Sequence, residues 1–154
     1  MQIIAEAVTG AEPHEDTTVP MQALQLFYAA LNTRDIALMA NCWSAKEDAS
    51  MDNPLGGIVR GWSAIASVYS RLFNADVRYH FEFHDYSMHQ LADSFLVVGR
   101  ERGWIEKGGK HLDLAFRTSR FFRHENAHWK QMHHHGSADD AAMLRAYQEL
   151  VLGT

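Results

Sequence analysis

The sequence predicts an α+β fold: a cone-shaped, strongly curved antiparallel sheet packed against three N-terminal helices, with an internal pocket and a C-terminal helix. Two observations predict it. Apolar residues recur at helical spacing in three segments of the first half, and they then alternate with polar residues at period 2 from residue 77 to residue 137. Helices grouped ahead of long strands are typical of a sheet with helices on one face. A cavity between the two layers is the usual place for a ligand.

Composition and charge narrow the class of protein. The chain has 154 residues, 47% of them hydrophobic, and a net charge of -5, which fits one domain with its own core. The negative charge argues against a nucleic-acid partner, and no stretch approaches the roughly 20 apolar residues of a membrane span. Cys42 is the single cysteine, and residues 1–20 do not resemble a signal peptide. We therefore expect a reduced, cytoplasmic setting.

The predicted organisation is a flexible, polar arm at residues 1–19, a domain at residues 20–138 and a C-terminal helix at residues 139–154. The first helix follows the arm, the second begins after an N-cap at Asp35, and the third begins after Gly61. The apolar stripes of these three helices are Leu24, Phe27, Tyr28 and Leu31; Ile36, Met39, Ala40 and Trp43; and Trp62, Ile65, Tyr69, Leu72 and Phe73.

Strands account for most of the remaining chain. A short strand over residues 49–53 ends at the turn Pro54–Gly57, because proline and glycine favour turns. The turn Lys107–Lys110 marks a hairpin. The four long runs with period 2 are Val77–Met88, Ser94–Glu106, His111–Arg123 and His128–Ser137.

The hairpin formed by the last two runs carries most of the candidate functional residues. On its first strand Arg117 and Ser119 share one face, and Arg120 takes the other. A guanidinium in a pocket would bind a carboxylate through two hydrogen bonds. Arg117 is the leading candidate for that role, and a salt bridge to Glu101 or Asp113 is the alternative. Arg120 replaces Arg117 if the register is shifted by one residue, because such a slip exchanges the two faces.

The second strand of the hairpin contains three consecutive histidines. His133 and His135 share one face with Ser137, and His134 takes the other. Any of the three could act as a general base near pH 7, or could instead lie on the sheet surface or in a dimer interface. A zinc site would need further ligands, and no spacing supplies them. We therefore predict no metal.

Seven motifs follow one another in a fixed order along residues 20–138. They are Phe27–Asn32 with Asp35, Trp43, Asp52–Pro54 with Gly57, Gly61–Ile65, Arg117–Thr118, Trp129 and His133–Ser137. In this order they resemble the nuclear transport factor 2-like superfamily, specifically its SnoaL-like branch. The C-terminal pattern is also similar to that of the calcium/calmodulin-dependent kinase association domain. The resemblance implies a conical fold, a pocket inside it and homodimers formed through the outer sheet face.

The superfamily includes ketosteroid isomerase, cyclases, dehydratases, epoxide hydrolases and non-catalytic assembly domains, so the fold does not fix the activity. The position of the isomerase's catalytic aspartate is Asn53 here, and an amide cannot abstract a proton. Asp52 precedes it and points to the other face. The isomerase's tyrosine and protonated aspartic acid fall near Phe27 and Ser119. We therefore reject steroid isomerisation by that mechanism.

The remaining candidates are ligand-binding positions. Asp52 and Asn53 could hold a substrate hydroxyl or a water, or could serve only the turn before Pro54. Aromatic residues at helical spacing are usually core, but a buried tyrosine hydroxyl needs a partner. The predicted ligand-binding residues are Tyr28, Asp52, Asn53, Trp62, Tyr69, Glu101 and Ser119, beside the catalytic candidates Arg117, His133, His134 and His135.

The sequence favours a SnoaL-like protein that binds a small organic molecule in the cone. If it is an enzyme, we expect acid–base isomerisation, cyclisation, dehydration or hydrolysis of a small acidic or polyketide-like substrate, without a cofactor. Histidine would be the base, and Arg117 would hold a carboxylate or stabilise an enolate. The alternative is a non-catalytic ligand-binding or oligomerisation module, and the sequence does not decide between the two.

Overall fold

A computed structural model describes residues 1–153, and it confirms the α+β class. The described residues form four helices and one open, curved sheet of seven strands. The helices are α1 (Pro20–Thr33), α2 (Ile36–Cys42), α3 (Trp62–Asn74) and α4 (Ala141–Leu152). The strands are β1 (Gln2–Ile4), β2 (Ser50–Asp52), β3 (Ile58–Arg60), β4 (Arg78–Gln90), β5 (Ser94–Lys107), β6 (Lys110–Glu125) and β7 (His128–Ala138).

The sheet has the strand order β1-β4-β5-β6-β7-β2-β3. All neighbouring strands are antiparallel except β2 and β7, which run parallel. Strands β4 to β7 form the long meander that the period-2 pattern predicts. Their inner face packs against the first three helices through a continuous core that includes Phe27, Trp43 and Tyr69.

The N-terminal segment is attached to the sheet. Strand β1 pairs with the edge of β4, and Val8, which is only 1% exposed, exchanges backbone hydrogen bonds with Phe83. The backbone N–H of Trp129 donates to the carbonyl of Thr17. These contacts differ from the predicted flexible arm, because the open edge of β4 offers unpaired backbone groups that this segment satisfies.

Two helices begin at an aspartate N-cap, as the sequence predicts for Asp35. The Asp35 side chain accepts a hydrogen bond from the Leu38 N–H at 2.9 Å, and Asp140 accepts one from the Met143 N–H at 2.8 Å. Helix α1 instead begins at Pro20, with no side-chain cap, because a proline at the first position already has helical φ and no N–H to satisfy. No helix within residues 1–153 is both long and apolar enough to cross a membrane.

The register of β6 and β7 decides which residues face the core. Arg117 pairs with Ser137, and Arg120 pairs with His134. Arg120 is 1% exposed and His134 is 6% exposed, so this pair points inward. Arg117 and its neighbours at period 2 point to the outer face, which is the reverse of the leading expectation.

Candidate active site

The inner sheet face and the helices enclose a cavity of about 410 Å³, a size typical of small-molecule sites. Its walls are mainly apolar side chains of α1, α3, the strands and α4, including Leu31, Val68, Phe81, Ile105 and Phe116. Four exposed residues, Gly56, Arg71, Lys107 and Leu152, also line it and mark the end that opens to solvent. Apart from Asn53 and the two exposed cations, the polar side chains of the lining are buried and lie at the inner end.

A buried ion pair lies at that inner end. Arg120 donates from Nη2 to Oε2 of Glu101 at 2.6 Å, from Nε to the Tyr28 hydroxyl at 3.3 Å and from Nη1 to Oε1 of Gln131 at 3.3 Å. The Tyr28 hydroxyl donates to the same Glu101 oxygen at 2.7 Å. The guanidinium carbon lies 3.7 Å from the centre of the Phe27 ring, so the charge rests on an aromatic face.

The ionisation states in this cluster follow from burial and charge. Burial opposes the charge of Arg120, but Tyr28, Glu101 and Tyr69 together raise its pKa. Burial likewise raises the pKa of the Tyr28 hydroxyl well above its ordinary value. Tyr28 is therefore a neutral donor, and Arg120 is a cation held inside the protein, where an unpaired charge would be costly.

His134 lies opposite Arg120 across the β6–β7 ladder and lines the cavity. Burial is the main cause that lowers the pKa of His134 well below its ordinary 6.5, and the charges of Arg120, His133 and His135 lower it further. The imidazole is consequently neutral at pH 7. Its buried Nδ1 has no hydrogen-bond partner within residues 1–153.

Hydrogen-bonding capacity remains open at the inner end of the cavity. Arg120 uses three of its five N–H groups on protein partners, and both Glu101 contacts fall on Oε2. Tyr69, a further polar side chain of the lining, is 5% exposed. The arrangement can hold an uncharged oxygen between a fixed cation and a neutral imidazole.

The sequence-predicted site residues divide between the two faces of the sheet. Tyr69, Glu101, His134 and Asn53 line the cavity, and Tyr28 supports it through Glu101. Asn53 serves the turn, since its Oδ1 accepts a hydrogen bond from the Leu55 N–H at 3.0 Å. This local role is the alternative that the sequence left open.

The other predicted site residues lie outside the cavity. Arg117 has a side chain that is 65% exposed, and its Nε lies 3.3 Å from Oδ1 of Asp139. The placement of Arg117 in the pocket is therefore corrected to Arg120, the alternative for a register shifted by one residue. His133 and His135 also lie outside the cavity, together with their β2 partners Ser50 and Asp52. Ser119 and Trp62 do not line it either. His133 contacts Ser50 at 2.8 Å, and His135 contacts Asp52 at 2.9 Å.

Sequence reasoning did not single out Gln131 or the stacking surface of Phe27. A signal for Arg120 was available, because Phe116 and Phe122 share its face at period 2 and are both buried. No comparable signal marks Gln131. Within the described residues, no group of three or more histidine, cysteine, aspartate or glutamate side chains is arranged to hold a metal ion.

Several solved structures share this fold. A proposed dehydratase of the nuclear transport factor 2-like family from Streptomyces avermitilis has a TM-score of 0.73 and 21% identity, and covers 84% of this chain and 100% of its own. A proposed calcium/calmodulin-dependent protein kinase type II association domain from Thiobacillus denitrificans has a TM-score of 0.69 and 23% identity, with the same coverages. A nuclear transport factor 2-like protein from Salmonella enterica has a TM-score of 0.70 and 17% identity, and covers 77% of this chain and 87% of its own.

Sequence comparison identifies the family. No curated protein matches the chain. The family model described as a SnoaL-like domain matches residues 21–141, a span that includes the ion pair, His134 and the whole β4–β7 meander. The chain belongs to the SnoaL-like domain family.

Proposed function

We propose that this protein binds a small, largely apolar organic molecule in the cavity and carries out acid–base chemistry on it without a cofactor. The observation that carries the proposal is the buried Arg120–Glu101 pair facing neutral His134 at the inner end of an otherwise apolar cavity. Polar groups that converge in an apolar cavity are typical of ligand sites. Perturbed ionisation in such a place is typical of acid–base residues.

The charges favour an uncharged group at the inner end. Glu101 balances the charge of Arg120 at 2.6 Å, so a ligand carboxylate placed there would meet the Glu101 carboxylate as well as the guanidinium. A carbonyl or hydroxyl oxygen can accept from the free Arg120 N–H groups without that repulsion. We therefore propose a ketone or hydroxyketone rather than the carboxylate first assigned to the arginine site.

The chemistry that fits is proton removal next to a carbonyl. His134 accepts the proton from the carbon, and the electron pair of the broken C–H bond forms an enolate. The enolate oxygen keeps its hydrogen bonds from the free Arg120 N–H groups, and the imidazolium formed beside it balances its charge. Return of the proton at another position gives isomerisation. Attack of the enolate carbon on a second carbonyl of the ligand, whose oxygen then takes the proton from His134, gives cyclisation, and loss of a β-hydroxyl as water with that proton gives dehydration. The Streptomyces structure described as a proposed dehydratase agrees with this class.

Solvent deuterium exchange tests the proposal without knowledge of the natural product. The native protein, His134→Gln and the control His124→Gln are incubated in deuterated buffer with a panel of aryl ketones and β-hydroxyketones, and exchange is followed by NMR. We expect exchange that His134→Gln slows about 100-fold or more and that His124→Gln, at an exposed position, leaves unchanged. Equal exchange rates in native protein and His134→Gln would refute the role of His134.

A non-catalytic binding module is the second candidate, and the resemblance to a proposed kinase association domain supports it. A thermal shift with the same ketones measures binding separately, since a ligand at 100 times its Kd adds about 2.7 kcal/mol of stability. Binding that is lost in the double variant Glu101→Leu/Arg120→Met, without deuterium exchange in the native protein, would favour this candidate.

We also propose a homodimer formed through the outer sheet face. Val98 and Phe121 are apolar yet 41% and 37% exposed on that face, and burial against a second copy would remove them from water. Sedimentation velocity should show a dimer for the native protein and a monomer for Phe121→Asp.

The cytoplasmic location remains a prediction from the lone Cys42.

A further inference from the structure

We propose that the ligand carries an anionic group at the open end of the cavity, where Arg71 and Lys107 bind it. This inference rests on the proposed function and extends it, because it assigns a second subsite about which the ion pair at the inner end says nothing. Arg71 and Lys107 both line the cavity, and both are exposed. They come from separate elements, the last turn of α3 and the end of β5.

The position of Lys107 is fixed by the C-terminal helix. Its Nζ donates to the carbonyl of Leu150 at 3.1 Å, which holds the ammonium beside the last turn of α4, next to the lining residues Val151 and Leu152. A lysine ammonium has three N–H groups, so two remain for a ligand. Lys107 is thus oriented at the opening, with donors to spare.

The open end, or rim, of the cavity has two cations and no carboxylate among its described lining residues. Neither Arg71 nor Lys107 forms a salt bridge with another residue in the described part of the chain. Glu101 is the one carboxylate among the lining residues of that part, and it is taken up by Arg120 at the inner end. Within the described residues the open end of the lining therefore carries two positive charges that no salt bridge pairs, in a protein whose net charge is -5.

The cavity consequently has three zones along its length. The inner end offers hydrogen bonds to a neutral oxygen, the middle is apolar and the open end is cationic. Low-dielectric walls concentrate the field of the rim charges on a bound group. The ligand class that matches all three zones is an amphipathic organic anion with an uncharged carbonyl or hydroxyl at one end, an apolar body, and a carboxylate or phosphate at the other.

Matched probes isolate the charge at the open end. Each pair is an aryl ketone with a short alkyl chain that ends either in a carboxylate or in its methyl amide. Their Kd values are measured by calorimetry at low and high salt on the native protein and on the double variant Arg71→Gln/Lys107→Gln. Lys46→Gln is the control, since Lys46 is exposed and lies far from the open end. Its backbone N–H donates to the Ser44 hydroxyl, which in turn donates to Glu125 at one end of β6. Lys110, the β5 partner of Lys107, lies at the other end of β6, about 50 Å along the strand.

We expect the native protein to bind the carboxylate about 2- to 30-fold more tightly than the amide at low salt, the range for two partly exposed charge contacts. The preference should shrink at high salt, disappear in the double variant and persist in Lys46→Gln. Equal affinity for the two probes, or an unchanged preference in the double variant, would overturn the inference. Binding of both probes that is lost in the double variant Glu101→Leu/Arg120→Met, which removes the buried pair without leaving an unpaired charge, would in that case leave the proposed function standing. Affinities that are insensitive to this double variant, with a rim-dependent preference, would overturn the inner-end assignment instead.

Discussion

Neutral His134 should make the folded protein lose stability as the pH falls. Burial, followed by the charge of Arg120, lowers its pKa well below 6.5. In the unfolded chain the same imidazole titrates near 6.5. Below that pH the unfolded state binds a proton that the folded state does not. Stability supported by the neutral imidazole is therefore present above pH 6.5 and is lost as the pH falls towards the folded-state pKa.

The loss of unfolding free energy that His134 should cause follows from the titration of one histidine. Between pH 7.5 and pH 5.5 an unfolded histidine with a pKa of about 6.5 gains proton-binding free energy of about 1.4 kcal/mol, which is RT multiplied by the natural logarithm of 11/1.1. The folded state gains almost none while His134 stays neutral. The native protein should lose this amount relative to His134→Gln, which has no group to titrate.

Urea denaturation of both proteins at pH 7.5 and pH 5.5 measures the effect as a difference of differences. His111 has the opposite sign, because hydrogen bonds to Glu106 and Asp113 raise its pKa, but it is present in both proteins and cancels. The exposed His124→Gln variant controls for the substitution itself, since it removes a histidine that does not line the cavity. A stability difference between native and His134→Gln that is the same at both pH values would refute a buried neutral imidazole.

Three further outcomes follow from the buried contacts. Glu101→Gln should cost about 3–5 kcal/mol of unfolding free energy, because it leaves the charge of Arg120 buried without a partner. Glu101→Leu combined with Arg120→Met should recover most of that stability and abolish ketone binding. Chemical denaturation measures the stabilities, and calorimetry measures the binding. Phe122→Ala should cost about 3–5 kcal/mol, since its ring stacks on Phe95 at 4.4 Å, as thermal unfolding would show. Gly10→Ala should destabilise the fold, because its φ is +86° and a Cβ would lie 2.8 Å from the Tyr28 backbone; a retained melting temperature would contradict this.

The sequence predicts the elements well because periodicity and caps are local. The 3.6- and 2-residue periods identify α1 to α3 and the long strands, and Asp35 marks its own helix start. The faces of β6 were harder to assign, because Arg117 and Arg120 are both arginines in an alternating run, and only pairing with β5 and β7 orients them. The attachment of residues 2–4 to β4 is likewise a contact between distant segments, which no local pattern encodes.

The inner end of the cavity is difficult to explain by stability alone. A buried ion pair rarely stabilises a fold more than apolar residues of the same size would, because desolvation offsets the attraction. Arg120 is nonetheless placed on the Phe27 ring and within hydrogen-bond distance of Glu101 and Tyr28. Across the ladder, His134 keeps a buried nitrogen without a partner in the described chain. A buried polar atom without a hydrogen-bond partner costs free energy, and a ligand group that bonds to it would recover that cost. The cluster therefore makes physical sense as the binding end of a ligand site, and the ketone assays address that role directly.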